Sequence, residues 1–125
     1  MSDDFERVGK KIPEIEMKKL YHQLMRKAEG KFFSDRQDVW LISCKLMPDE
    51  VFANFDLVPI YNREEVIIFF ENYHIMMKSS WGKAIAFLKE REPWEDFDVC
   101  IFDESMDWCV ALTHNDEIKA VKLDR

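Results

Sequence analysis

The chain has 125 residues, 47% of them hydrophobic and 14% aromatic, and a formal charge of −7 from 18 basic and 25 acidic side chains. That size and apolar content suffice for one core, and only three glycines and four prolines argue against low complexity or disorder. No purely apolar run exceeds five residues, Val66 to Phe70 being one such, far short of the roughly 20 residues that cross a bilayer, and the polar start MSDDFERVGKK lacks the apolar segment of a secretory signal, so a single cytoplasmic domain without membrane association is expected.

In chain order, residues 2 to 10 either add a short helical turn or stay frayed. A first helix is expected from Ile12 or Pro13 to Ala28, because Pro13 suits a first helical turn and Gly30 a stop. Met17, Leu20, Tyr21, Leu24 and Ala28 share one face at helical spacing, while His22 lies off it. Residues Asp38 to Met47 are ambiguous. Trp40, Ile42, Cys44 and Leu46 alternate as in a strand, whereas Ser34 with Gln37 could cap a helix; β-branched and aromatic content favours the strand.

Pro48 ends that segment. Glu64 to Phe70 reads as a strand, Glu71-Asn72 as a tight turn, and Tyr73 to Lys78 as the antiparallel return, with His74 on the face opposite Tyr73, Ile75 and Met77. Ser80 is a fair cap for a second helix from Trp81 to about Arg91, burying Trp81, Ala84, Ile85 and Leu88. Phe97 to Leu123 then reads as a three-stranded meander with two acidic turns. The expected fold is α+β: one antiparallel sheet of five or six strands with two main helices packed on one face.

Glycine occurs only at positions 9, 30 and 82, so neither a phosphate-cradling loop nor a dinucleotide fingerprint can be written, and no cofactor is expected. Cys44, Cys100 and Cys109 are an odd number in a chain without an export signal, which favours free thiols. A hairpin turn centred between Glu104 and Ser105 would set Cys100 opposite Cys109. Zinc held by Cys100, Cys109 and His114 fits none of the usual paired-ligand spacings. A dispersed catalytic site, with His114 as base oriented by Asp116 or Asp107, has no motif to support it.

Charge is the informative feature. Residues 92 to 117 carry nine acids (Glu92, Glu95, Asp96, Asp98, Asp103, Glu104, Asp107, Asp116, Glu117) and no lysine or arginine, whereas residues 1 to 37 hold nine basic and seven acidic side chains. Such a field repels nucleic acid and suits a basic protein partner, for instance a nuclease groove. Trp94, following Pro93, adds an aromatic anchor of the kind that dominates interfaces, although core closure is the commoner use of such a residue.

From about residue 38 to 123, the order of a Trp-containing segment, two strands, a helix opened by Trp81-Gly82, and an acidic meander resembles small cytoplasmic immunity proteins of bacterial polymorphic toxin systems. The matching residues are chiefly Phe102-Asp103-Glu104, Asp107-Trp108 and Thr113-His114. The resemblance implies a non-enzymatic inhibitor of one toxin domain and transfers no catalytic residue. The expected partner contacts are Trp94, Glu95, Asp96, Asp98, Asp103, Glu104, Asp107, Asp116 and Glu117. The alternative is a small enzyme or ligand-binding domain with a pocket near His114 and His74.

Overall fold

In a computed structural model, residues 8–36, 41–58, 64–90 and 97–123 are described. Among these residues, three α-helices, α1 (Glu14–Ala28), α2 (Ile42–Lys45) and α3 (Trp81–Lys89), accompany seven strands: β1 (Lys10–Lys11), β2 (Glu50–Phe52), β3 (Val66–Phe70), β4 (Ile75–Ser79), β5 (Val99–Phe102), β6 (Trp108–Leu112) and β7 (Ile118–Lys122). The strands form one sheet in the order β1-β4-β3-β5-β6-β7-β2, every neighbouring pair antiparallel. The fold is therefore α+β around an open antiparallel sheet.

The helices do not share a face. Val66, Ile68, Phe70, Val99, Ile101, Val110 and Leu112 pack with Trp81, Ala84, Ile85 and Leu88 of α3, whereas Ile67, Phe69, Cys100, Phe102, Cys109 and Ala111 pack with Leu24 and Ala28 of α1 and Ile42 of α2. The expectation of one covered face is corrected here. Successive side chains of a strand point to opposite faces, so a continuous apolar run such as Val66 to Phe70, buried at all five positions, requires cover on both. Aromatic rings fill the α3 side: Phe70 meets Phe87 and Phe97 edge-on at 5.5 and 5.6 Å between centroids.

Local chemistry explains the long helices. The Ser80 hydroxyl accepts from the Lys83 N–H and caps α3, as its sequence suggested. In α1, Glu14 and Glu16 stand in the first turn and Arg26 and Lys27 in the last, complementing the helix dipole. The segment read as a strand is different, for Ile42–Lys45 is a single helical turn. Ile42 and Leu46, taken as alternating strand residues, are also four apart, and both are buried; residues 38–40 lie outside the described residues.

Two further expectations change. Cys100 pairs with Ala111, not Cys109, because the β5–β6 register centres the turn between Ser105 and Met106, one residue later than assumed; all three cysteines are free thiols. The amino-terminal segment is not frayed throughout: Val8 is buried, Lys10 and Lys11 pair with Lys78 and Met77, and the Ser79 hydroxyl donates to the Val8 carbonyl.

Gly9 makes that docking possible. A Cβ there would lie 1.9 Å from the Lys78 carbonyl oxygen, whereas Gly82 on α3 faces open space. Gly9→Ala is therefore expected to lower stability by about 1–3 kcal/mol. Gly82→Ala should instead leave it unchanged or raise it by up to about 1 kcal/mol, since alanine is the better helix former. Urea unfolding of the two variants checks both signs.

Candidate functional site

The acids singled out from the sequence separate into three groups. Trp94, Glu95 and Asp96, with Glu92, lie outside the described residues. Asp98 and Asp103 are buried and turned inward. Asp103 accepts from the Ser105 N–H and hydroxyl and from the Trp108 indole at 3.1 Å, closing the β5–β6 turn. Glu104, Asp107, Asp116 and Glu117 are exposed.

These four occupy opposite ends of β6. Glu104 lines a cleft of about 600 Å³ whose other wall includes Gln23, Arg26 and Lys27 of α1, and Lys27 also approaches Asp107 at 3.9 Å. At the other end Glu117 pairs with Lys119 at 3.6 Å, and Asp116 adopts a left-handed backbone (φ 62°) that aspartate tolerates well.

A second constellation gathers beneath the α1 face. Glu71 ends the apolar run of β3 and is 1% exposed. Its two carboxylate oxygens accept the N–H groups of Ile42 (2.6 Å) and Ser43 (2.8 Å), which open α2, and the Cys100 thiol donates to the same group at 3.3 Å. At the other end of that helical turn, the buried Lys119 ammonium donates to the carbonyls of Ser43 and Leu46, both at 3.0 Å. An isolated four-residue helix does not persist in water; here a carboxylate just past the end of β3 and an ammonium from β7 hold it.

The clamp sets Cys44 beside Asp98. The Cys44 thiol donates to Asp98 Oδ1 at 3.6 Å, and the same oxygen accepts the His114 backbone N–H at 3.0 Å and lies 3.0 Å from His114 Nδ1. Asp98 is 3% exposed and the His114 ring 48%, so the cluster opens to solvent through the imidazole. Asp98, rather than Asp116 or Asp107, is the carboxylate that orients His114. Nor are Cys100 and Cys109 its companions: both are fully buried within the α1-side core. His74 is exposed in a left-handed conformation after the β3–β4 turn, at the same end of the sheet as His114 but on the far side of β3 and β5.

Burial is the main influence on the titrating groups. It raises the Glu71 carboxyl above its usual range against the opposing effect of the hydrogen bonds from Ser43, Ile42 and Cys100. Burial, then the Asp98 charge, raises the Cys44 thiol, and burial pushes Cys100 well up. Tyr21 is raised by burial and then by Glu71. With Asp98 lying between thiol and imidazole, Cys44 lacks the direct imidazole partner and lowered pKa that activate a cysteine nucleophile.

Cys44, Glu71 and Lys119 had no signal in the sequence as partners. Glu71 read as a turn residue, Lys119 as an ordinary strand lysine, and Cys44 is 54 residues from Asp98. No known family, curated protein or solved structure matches the chain. No helix among the described residues is long and apolar enough to cross a membrane.

Glu71→Gln is expected to cost about 1–3 kcal/mol, because one amide oxygen cannot satisfy both N–H groups and the NH2 would face one of them. The pH dependence has a definite sign. A carboxyl with a raised folded-state pKa contributes stability that is complete below the ordinary value of 4.5 and lost as pH rises through the folded value. Denaturant unfolding across that range should show this decline in the native chain and its removal in Glu71→Gln.

Proposed function

We propose that the chain is a non-enzymatic binding protein whose acidic carboxy-terminal half engages a basic protein partner, in the manner of an immunity protein neutralising a nuclease-like toxin domain. The observation that carries this reading is the span from Glu92 to Glu117, nine acids without a lysine or arginine, of which Glu104, Asp107, Asp116 and Glu117 stand exposed at the strand ends. Asp98 and Asp103 support those ends from within rather than meeting a partner. Trp94, Glu95 and Asp96 immediately precede Phe97 in sequence and complete the proposed contact set.

The cations near this surface do not cancel it. Lys27–Asp107 is a long, exposed pair of the kind that contributes about 0–1 kcal/mol, so an arriving basic groove can compete for it, while the buried Lys119 ammonium is engaged by the Ser43 and Leu46 carbonyls and leaves the Glu117 carboxylate half exposed. Complementary charge of this type chiefly accelerates association and makes it sensitive to salt.

The test separates the two ends. Proteins retained by the immobilised chain from its native host are compared with those retained by Glu104→Gln/Asp107→Asn and by Asp116→Asn/Glu117→Gln, the Asn at 116 preserving tolerance of positive φ. A retained basic protein is expected to associate several-fold more slowly with at least one pair, with a shallower salt dependence. Association unchanged in both pairs, or insensitive to salt, would overturn the acidic-face reading.

A further inference from the structure

We propose that Cys44, Asp98 and His114 form a binding site for a zinc-class divalent cation, a property separate from the acidic binding surface and testable without any partner. The three residues each present one donor atom, and these atoms all lie within 4.8 Å of one another. Zinc bonds of about 2.3 Å to sulfur and 2.0–2.1 Å to nitrogen or oxygen place donor atoms of a tetrahedron roughly 3.3–3.5 Å apart. Asp98 Oδ1 stands 3.6 Å from Cys44 Sγ and 3.0 Å from His114 Nδ1, so two of the three edges are already near those of a coordination shell. The third edge, between Cys44 and His114, is at most 4.8 Å, and the half-exposed His114 ring is the mobile partner that would shorten it.

The surroundings suit a cation held for occupancy rather than strays on a surface. Cys44 is fixed from both sides, by Glu71 at the start of α2 and by Lys119 at its end. Asp98 is anchored by the His114 backbone N–H, which remains as a supporting donor when the carboxylate turns to a metal. A thiolate and a carboxylate supply two negative charges for a dication, and imidazole with thiolate selects zinc, cobalt or nickel over magnesium and calcium. On binding, the thiol releases its proton to solvent and His114 coordinates through a deprotonated Nδ1, its remaining proton on Nε2. Three protein donors leave the fourth position to water on the exposed side.

The experiment uses the untagged full chain, freed of metal with a chelator and titrated with Zn²⁺ by calorimetry and with Co²⁺ by absorption. One cation per chain and a thiolate-to-cobalt charge-transfer band are expected. Cys44→Ser should abolish the band, Cys109→Ala should retain it, and His114→Ala should weaken Zn²⁺ binding by about tenfold or more. Absence of saturable binding, a band that survives Cys44→Ser, or unchanged affinity in His114→Ala would each overturn the site. Because the His114 ring is half exposed, that variant keeps its fold even if substitution at Cys44 does not.

Discussion

The arrangement beneath the α1 face depends on one buried carboxylate. Glu71 stands where β3 runs out, and by receiving two backbone N–H groups it makes a helical turn out of a segment too short to be helical alone. Its cost is visible in its own raised pKa, since desolvation outweighs the hydrogen bonds it gains. Lys119 completes the arrangement with opposite charge at the opposite end. Neither group is a surface ion pair; each saturates backbone groups that would otherwise be stranded in the core.

From this clamp follows the position of Cys44, and from Cys44 the character of the Asp98 cluster. Asp98 immediately precedes β5 and is both the acceptor that ties down the β6–β7 turn through the His114 N–H and the group facing the thiol. An acid that by composition belongs to a soluble rim is thereby a structural hub. The same is true of Asp103 at the other end of the meander, where the Trp108 indole rather than solvent satisfies it. The acidic character of the surface rests on the remaining exposed carboxylates.

Elements governed by local signals were legible in the sequence. The Ser80 cap, the α3 stripe and the meander follow from propensity, periodicity and turn chemistry, which act over a few residues, and so does the existence of the β3–β4 hairpin; its tight Glu71-Asn72 turn is corrected to a four-residue connection, Glu71 to His74, with Phe70 paired to Ile75. The second covered face was also written in the chain, in the uninterrupted runs Val66 to Phe70 and Val99 to Phe102, though a count of helices alone suggests one layer. What could not be read were decisions made at long range: helix or strand at Ile42–Lys45 is settled by Glu71, some 29 residues later, and by Lys119, 76 residues from Ser43. A carboxylate's burial likewise depends on what folds over it, so Asp98 and Glu104 look alike as letters and differ entirely in place.

The two outermost strands carry a consequence for how this molecule can be recognised. β1 contributes two residues, both exposed lysines, and β2 only three, so among the described residues neither margin of the sheet offers a long row of open backbone donors and acceptors. Extension of the sheet by a guest strand is thereby discouraged at both margins, whether the guest is another copy or a foreign peptide. The exposed side chains at the tips of the meander, Glu104, Asp107, Asp116 and Glu117, stand outside that hydrogen-bonded ladder.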